Sequence, residues 1–348
     1  MNYTNISSVA CSIESQPASI SVLICLVPML GLPLNIFSMW VFKYHIPEWK
    51  AGTFLQFHLA ISDLIFCPLA PFLTVYFALG HWPFGSVMCR LKIILLAIHF
   101  YGSIFFLTLI SIHRCISVVY HHQEFRMKQK GFVKKLCVGV WVVVLIKGVV
   151  CCLVLDTSQV GNHTLCLSIH QEQYTEMYFL LNFILLLPGF LIPFTISLVC
   201  YSCLARSVSS INIYHKKGKL IKSKSHKMMV VCLLIFGLCF MPMNVIRTVM
   251  VVIKKFCPKH CHLLLQVETS YYVSWILSSV NCCLDPLIYC FASQTFTAAF
   301  RSSLRKIGVR FQTTREDIEH DGALTIHDIP SPSMIKRANT SITHNSCT

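Results

Sequence analysis

The sequence predicts an all-α membrane protein, a seven-transmembrane helix bundle followed by a short amphipathic eighth helix. Hydrophobic residues make up 55% of the 348 residues and charged residues only 12%, so the polar surface is too small to cover a water-soluble globule. The apolar residues form seven runs, each long enough to cross ~30 Å of hydrocarbon as a helix. The runs span residues 19–42, 52–79, 90–120, 136–155, 177–204, 228–253 and 263–291.

The third run is bounded by two chemically distinctive residues. It follows Cys89 at one mouth and ends near Arg114 at the other. A lipid-facing Arg at that depth would cost several kcal/mol unless it snorkelled or turned toward protein or water. Arg114 is therefore a functional candidate, and an interfacial anchor is the alternative.

Composition divides the chain into four regions. We expect an extracellular N-terminus at 1–18, the transmembrane domain at 19–291, an amphipathic membrane-surface helix at 292–310 and a disordered cytoplasmic tail at 311–348. In the third region apolar residues recur every four positions beside a basic face, as in interfacial helices. The tail is rich in Ser and Thr without apolar periodicity, which predicts disorder and phosphorylation. The first thirty residues lack a basic segment and a small-residue cleavage site, so we expect the N-terminus to be retained.

The basic residues set the orientation. Lys and Arg lie mainly in the first, third and fifth loops and after the last run, which places the N-terminus outside the cell. The net charge of +15 is spread between apolar runs, so it indicates topology and contact with anionic membrane lipid, and not nucleic-acid binding. Asn2, Asn5 and Asn162 begin glycosylation sequons on the outer side.

Cysteines on the outer side lie in an oxidising compartment, where they can pair. Cys89 and Cys166 are natural partners, because a bridge would hold the long fourth loop over the bundle. Cys11 can pair with Cys257 or with Cys261, and both alternatives stay open. The sequence has no paired cysteine and histidine spacing typical of zinc, no phosphate loop and no nucleophile–base set, so we expect neither a metal site nor an enzyme.

One mark in each run resembles the rhodopsin-like (class A) family of G-protein-coupled receptors. The marks are Asn35, Asp63, His113-Arg114-Cys115, Trp141, Pro193 with Tyr201, Cys239-Phe240-Met241-Pro242 and Asp285-Pro286-Leu287-Ile288-Tyr289. The resemblance implies a receptor that binds an outer-side ligand and activates a heterotrimeric G protein, with arrestin and receptor kinases acting on the phosphorylated tail. It assigns the G-protein switch to His113, Arg114, Tyr201, Phe240, Pro242, Asp285, Pro286 and Tyr289.

Two of these marks depart from the family pattern. His113 replaces the acid that restrains Arg114 in the inactive state, which predicts measurable ligand-free signalling. Phe240 replaces a Trp, and with His113 it leaves a non-signalling decoy receptor as an alternative. Pro242 and Pro286 each remove a helical hydrogen bond, so we expect kinks there.

A set of polar residues falls at mid-membrane. Asp63, Ser103, Asn281 and Asp285 are too costly to face lipid, so we expect them to converge inside the bundle. The family resemblance implies that they hold a sodium ion. A purely structural hydrogen-bond network is the alternative.

Short motifs indicate the branch of the family. His81-Trp82-Pro83-Phe84-Gly85 before Cys89, and Arg247 five residues after Pro242, resemble the purinergic-type branch. Within that branch, Glu48-Trp49-Lys50 is most similar to hydroxycarboxylic-acid and oxo-fatty-acid receptors. The resemblance implies a small anionic ligand, a carboxylate or oxidised fatty acid, and an inhibitory G protein. A nucleotide or lysophospholipid ligand is the alternative.

Cationic and aromatic residues of the outer half form the predicted ligand site. A guanidinium in a partly desolvated pocket binds carboxylate or phosphate in a bidentate manner, which favours Arg247. An internal ion pair with Glu268 is the alternative for Arg247, and a helix contact or snorkelling is the alternative for Lys147. The predicted ligand-binding residues are Arg247, Lys92, His99, Tyr101, Lys147, Tyr271 and Trp275.

Overall fold

The computed structural model describes residues 16–120, 124–209, 216–292 and 294–306. Within them the α-helices are α1 (Ala18–Tyr44), α2 (Ala51–Phe66), α3 (Ala70–Leu79), α4 (Gly85–Val119), α5 (Lys130–Val154), α6 (Thr175–Leu186), α7 (Ile192–Ser209), α8 (Lys216–Leu234), α9 (Met241–Phe256), α10 (Cys261–Ser279), α11 (Asn281–Ala292) and α12 (Gln294–Lys306). The strands are β1 (Thr157–Val160) and β2 (His163–Cys166).

Seven helical segments of this described part are long and apolar enough to cross a membrane, which confirms the predicted fold class. Four of the spans are made of two helices in succession. The spans are α1, α2 with α3, α4, α5, α6 with α7, α8 with α9, and α10 with α11.

The third span, α4, is the centre of the bundle. Of its most apolar stretch 72% is buried, against 28% for the fourth span and 22% for the fifth. It packs against α2, α5 and α7. Small residues allow this close approach, because a Cβ added at Gly102 would lie 3.1 Å from the Cβ of Ser62 on α2. A central helix of this kind reaches both the outer cavity and the inner end.

Two spans contain π-helical turns beside prolines. One turn is Leu187–Leu191 in the fifth span, and the other is Ile235–Phe240, directly before Pro242 in the sixth. A missing proline N–H weakens the local ladder, and a π-helical turn accommodates the break. The irregularity predicted at Pro242 is therefore present. In the seventh span the helix is interrupted at Val280, between α10 and α11, and Pro286 lies inside α11.

The fourth loop forms a hairpin that the sequence did not predict. β1 and β2 pair antiparallel, with Val160 opposite His163. Gly161 at the turn has φ +59, a left-handed conformation that glycine adopts without steric cost. Asn162, the predicted glycosylation site, is exposed at this turn.

Disulfides are present at the predicted outer side. Cys89 and Cys166 form the predicted bridge and tie β2 to the start of α4. The assignment of Cys257 to a second bridge is wrong, because Cys257 is a free, exposed thiol where α9 ends, whereas Cys261 at the start of α10 is in a disulfide. Cys11 lies outside the described residues, as do Asn2, Asn5 and the predicted tail at 311–348.

The eighth helix is α12. Within residues up to Phe300, Phe296 is fully buried and its ring centroid lies 4.7 Å from that of Phe42 on α1. Residues 301–306 continue the helix as the described part of a separate C-terminal unit. Its position at a membrane surface stays a prediction.

Candidate functional site

A cavity of about 170 Å³ lies in the outer half of the bundle. The third, fifth, sixth and seventh spans and the end of the fourth loop surround it. Much of the wall is apolar, formed by Ile93, Leu96, Ala97, Phe100, Ile104, Leu181, Leu185, Met243, Met250 and Val251. Mostly apolar walls with a few polar groups are typical of small-molecule sites.

Arg247 is the predicted cation that this cavity contains. Its Nε donates to Asn182 Oδ1 at 2.9 Å, and its Nη2 donates to Asn244 Oδ1 at 3.0 Å. In the described part of the chain no carboxylate lies within ion-pair distance of it. The two amide oxygens orient the guanidinium but leave its charge uncompensated.

The alternative partner of Arg247 is engaged elsewhere. Glu268 Oε2 lies 3.0 Å from Nε2 of His170 in the fourth loop, and Glu268 Oε1 accepts a hydrogen bond from Tyr272 at 2.9 Å. Glu268 therefore ties the seventh span to the loop. The ion pair between Arg247 and Glu268 is excluded by this arrangement.

Aromatic residues complete the wall. Tyr101, Tyr271 and Trp275 all line the cavity, as predicted, and Tyr272 joins them. Phe240 also lines it, 1% exposed, and its ring centroid lies 6.0 Å from that of Phe236. The cavity therefore borders directly on a residue of the predicted switch.

Lys92 does not lie on the cavity wall, so the prediction of Lys92 as a ligand contact is corrected. Its Nζ donates to the Cys166 carbonyl at 3.0 Å and lies 4.5 Å from the Tyr76 ring centroid and 4.9 Å from that of Trp82. The side chain is 3% exposed. Because a carbonyl and two aromatic faces already stabilise the ammonium, Lys92 holds the fourth loop in place.

His99 is also displaced from the predicted ligand site. It is fully buried, and its ring is stacked on Phe66 with the centroids 4.5 Å apart. Its Nδ1 lies 3.7 Å from Asp63 Oδ1. The helical rotation of α4 thus directs His99 to the mid-membrane polar cluster. Lys147 likewise does not contribute to the cavity wall, and its Nζ lies 3.9 Å from the Tyr101 ring centroid.

The four predicted mid-membrane polar residues converge. Asp63 Oδ1 accepts from Ser103 at 3.2 Å and from Asn281 Nδ2 at 3.5 Å, and Asn281 Nδ2 also lies 3.4 Å from Asp285 Oδ2. Within the described residues, Asp63 Oδ2, Asn281 Oδ1 and Asp285 Oδ1 are buried without a hydrogen-bond partner. Free oxygens of this kind suit a hard cation. No group of three or more His, Cys, Asp or Glu side chains in the described part is arranged to hold a metal.

The inner end contains the other predicted switch residues. Arg114 makes no ion pair within the residues that the structure describes. The His113 ring packs at the start of α2, where a Cβ added at Gly52 would lie 2.9 Å from its Cε1. Tyr201 hydrogen-bonds to Ser111, and the buried Tyr289 hydroxyl has no partner among the described residues.

Sequence reasoning missed the residues that orient Arg247. Asn244 lies three residues before Arg247, so both are on one face of α9. Asn182 is a polar residue within an apolar run, which was a usable signal. The link between His170 and Glu268 carried no comparable signal, because it depends on the path of the fourth loop.

A central helix joining an outer ligand-sized cavity to a buried inner arginine defines a membrane receptor, and comparison with known proteins identifies its family. The family model of the 7 transmembrane receptor (rhodopsin family) matches residues 34–289. The chain belongs to this family. It is a multi-pass plasma-membrane receptor and not an enzyme.

Relatives place the receptor in the purinergic and lysophospholipid group. Purinoceptor 2 of Homo sapiens is 34% identical over 267 residues, covering 76% of this chain and 70% of the relative. Lysophosphatidic acid receptor 6 of Homo sapiens is 30% identical over 292 residues, covering 82% and 85%. Purinoceptor 4 of Mus musculus is 31% identical over 307 residues, covering 86% and 82%. These relatives support the purinergic-type branch, and the narrower likeness to hydroxycarboxylic-acid and oxo-fatty-acid receptors stays a prediction.

Proposed function

We propose that the protein is a receptor for an amphiphilic anion, which binds in the outer cavity with its charged group on Arg247 and its apolar part against the wall. The observation that carries this proposal is the uncompensated guanidinium of Arg247. An ionic group in a membrane interior is costly without a counter-charge. The two amides that accept its hydrogen bonds are neutral, so an anionic ligand would supply the missing charge.

The cavity favours an amphiphile over a nucleotide. A nucleoside polyphosphate carries several charges, whereas among the described residues only Arg247 and Lys254 contribute basic groups to the wall. Lys254 already faces Glu172, with 3.7 Å between Nζ and Oε1. A cation without a counter-charge beside a long apolar wall suits a single headgroup attached to a hydrocarbon chain. Both the expected oxidised fatty acid and the alternative lysophospholipid have this form, and lysophosphatidic acid is in the name of one relative.

Transduction follows from the position of Arg247 on α9. Arg247 lies one to two turns beyond Pro242 and the π-helical turn Ile235–Phe240. A ligand held there biases the sixth span toward whichever arrangement it binds more tightly. Phe240, Pro242, Tyr201, Arg114 and the inner part of the seventh span then form the switch that admits the G protein. An inhibitory G protein is the class that we propose.

The polar cluster adds a second ligand to this proposal. Asp63, Asp285, Ser103 and Asn281 would hold a sodium ion through their oxygens, which stabilises the inactive arrangement. Two carboxylates supply more charge than one acid and an amide would.

Ligand-dependent nucleotide exchange on a purified heterotrimeric G protein tests the proposal. The panel contains lysophospholipids, oxidised fatty acids, small carboxylates and nucleotides. We expect exchange with an amphiphilic anion and none with its neutral ester. Binding without exchange would identify a decoy. Activation by a nucleotide alone would contradict the amphiphile assignment.

A further inference from the structure

A second cation lies immediately outside the cavity, behind one aromatic ring. Lys147 projects from α5, and its Nζ lies 3.9 Å from the Tyr101 ring centroid and 5.1 Å from that of Phe105. Tyr101 lines the cavity that contains Arg247, whereas Lys147 does not. The Tyr101 ring therefore separates the ammonium of Lys147 from the cavity.

The fifth span is shaped to admit this arrangement. A Cβ added at Gly189 would lie 2.6 Å from Tyr101 Cε1 and 2.8 Å from Lys147 Nζ. Atoms do not approach so closely, so only glycine leaves room here for both groups. Gly189 belongs to the π-helical turn Leu187–Leu191, and such turns recur at functional sites.

The ammonium of Lys147 is not satisfied by the described residues. Its Nζ is buried without a hydrogen-bond partner, and no described carboxylate lies within ion-pair distance. The aromatic faces of Tyr101 and Phe105 offset part of the desolvation cost, but an ammonium also has three N–H donors to satisfy. A purely structural lysine has a partner for its donors, as Lys92 shows with the Cys166 carbonyl.

We propose that Lys147 is the second cation of the anion site and that Tyr101 is a movable partition between the two cations. A side-chain rotation of Tyr101 would join Lys147 and Arg247 into one site for a doubly charged headgroup. A carboxylate has one charge and needs Arg247 alone. A phosphate monoester carries close to two charges above pH ~6 and has three terminal oxygens, so it can engage both cations. This inference rests on the proposed function and narrows its ligand class to phosphate monoesters.

Two amphiphiles with the same chain and different headgroups test it. Dodecyl phosphate and dodecanoate are titrated at about pH 8, where the phosphate is doubly ionised, against the purified full-length receptor, with thermal stability as the readout. For the wild type we expect half-maximal stabilisation by dodecyl phosphate at a concentration at least tenfold lower than by dodecanoate. Lys147→Gln should raise the value for dodecyl phosphate about tenfold and leave that for dodecanoate within twofold. Lys147→Arg should retain most of the preference.

Lys134→Gln is the matched control. Lys134 is on the same helix with its Nζ 4.9 Å from the Phe54 ring centroid, so it repeats the cation–aromatic contact away from the cavity. Its removal should change neither ligand's value. If Lys147→Gln does not fold, Lys147→Met keeps the apolar stem and serves in its place.

Three outcomes overturn the inference. They are equal binding of both amphiphiles to the wild type, an unchanged phosphate preference in Lys147→Gln, and a loss of phosphate binding in Tyr101→Ala, which should open the partition and bind dodecyl phosphate at least as tightly. Arg247→Gln separates this inference from the proposed function. If that variant binds both amphiphiles normally, the proposed function fails, whereas the comparison between Lys147→Gln and the wild type still decides the role of Lys147.

Discussion

The two ends of the bundle treat their buried cations differently. At the outer end, Lys92 donates to the Cys166 carbonyl at 3.0 Å and lies against two aromatic rings. At the inner end, Arg114 makes no ion pair within the described residues, and its neighbour His113 packs on Gly52. The outer end is thus a fixed scaffold that presents a cavity. The inner end keeps its arginine available for another protein.

Loss of the outer disulfide should have the largest effect on this contrast. Cys89→Ser removes the bridge to Cys166 that holds the hairpin over the bundle. Removing a native disulfide typically costs about 2–5 kcal/mol of stability. We expect loss of surface expression and of ligand binding, measured by cell-surface labelling. Cys257→Ser is the control and should express normally, because Cys257 is a free, exposed thiol. Two free thiols at Cys89 and Cys166 in peptide maps of the mature receptor would refute this prediction.

Lys92→Met distinguishes a scaffold lysine from a ligand contact. The substitution keeps the apolar stem but leaves the Cys166 carbonyl without its donor, at a cost of about 1–3 kcal/mol. We expect a lower unfolding temperature and an unchanged ligand potency per folded receptor. A potency loss at unchanged thermal stability would return Lys92 to the ligand site.

His113→Asp sharpens the contrast at the inner end. An aspartate beside Arg114 would pair with it in a poorly hydrated place and stabilise the inactive state by roughly 1–3 kcal/mol. Basal nucleotide exchange should fall about tenfold, while the response to saturating ligand persists. Should wild type and variant both match cells lacking the receptor, a different restraint must hold the inactive state.

Much of the fold and part of the site could be predicted from single residues. The spans, the disulfide between Cys89 and Cys166, and Arg247 in the cavity follow from apolar run length, compartment and charge, which are local properties. Lys92 and His99 were misplaced because their surroundings depend on the path of the fourth loop and the rotation of α4. The hairpin was missed because its strands have only four residues each, too few for a periodic pattern to show.

Acidification should have the smallest effect, at the outer surface. Burial opposes ionisation of Asp156, but hydrogen bonds from Ser86, the Thr157 N–H and Arg90 outweigh it and lower the pKa of this carboxyl. Because the pKa is lower in the folded state, its stabilisation is complete above the unfolded-state value of about 4 and is lost as pH falls below that value through the folded-state pKa. The contribution of Asp156 to the unfolding temperature should therefore stay constant between about pH 6 and 8.

A variant isolates this contribution. The Arg90 side chain is 53% exposed, and exposed pairs contribute about 0.2–1 kcal/mol. Arg90→Gln should lower the unfolding temperature only slightly, and added salt should shrink the difference. A large, salt-independent loss would show that the pair is more than a surface contact.

The most direct test of the account is the potency of an activating anion on Arg247→Ala. We expect a loss of about 2–4 kcal/mol, or thirtyfold and more, because the contact is charge-assisted and partly buried. Arg247→Lys should recover only part, since an ammonium lacks the planar fork. Lys255→Ala is the matched control on the same helix, because Lys255 faces Glu176 at 2.7 Å and does not line the cavity. Potency within threefold of the wild type for Arg247→Ala, at equal surface expression, would contradict the anion site at Arg247.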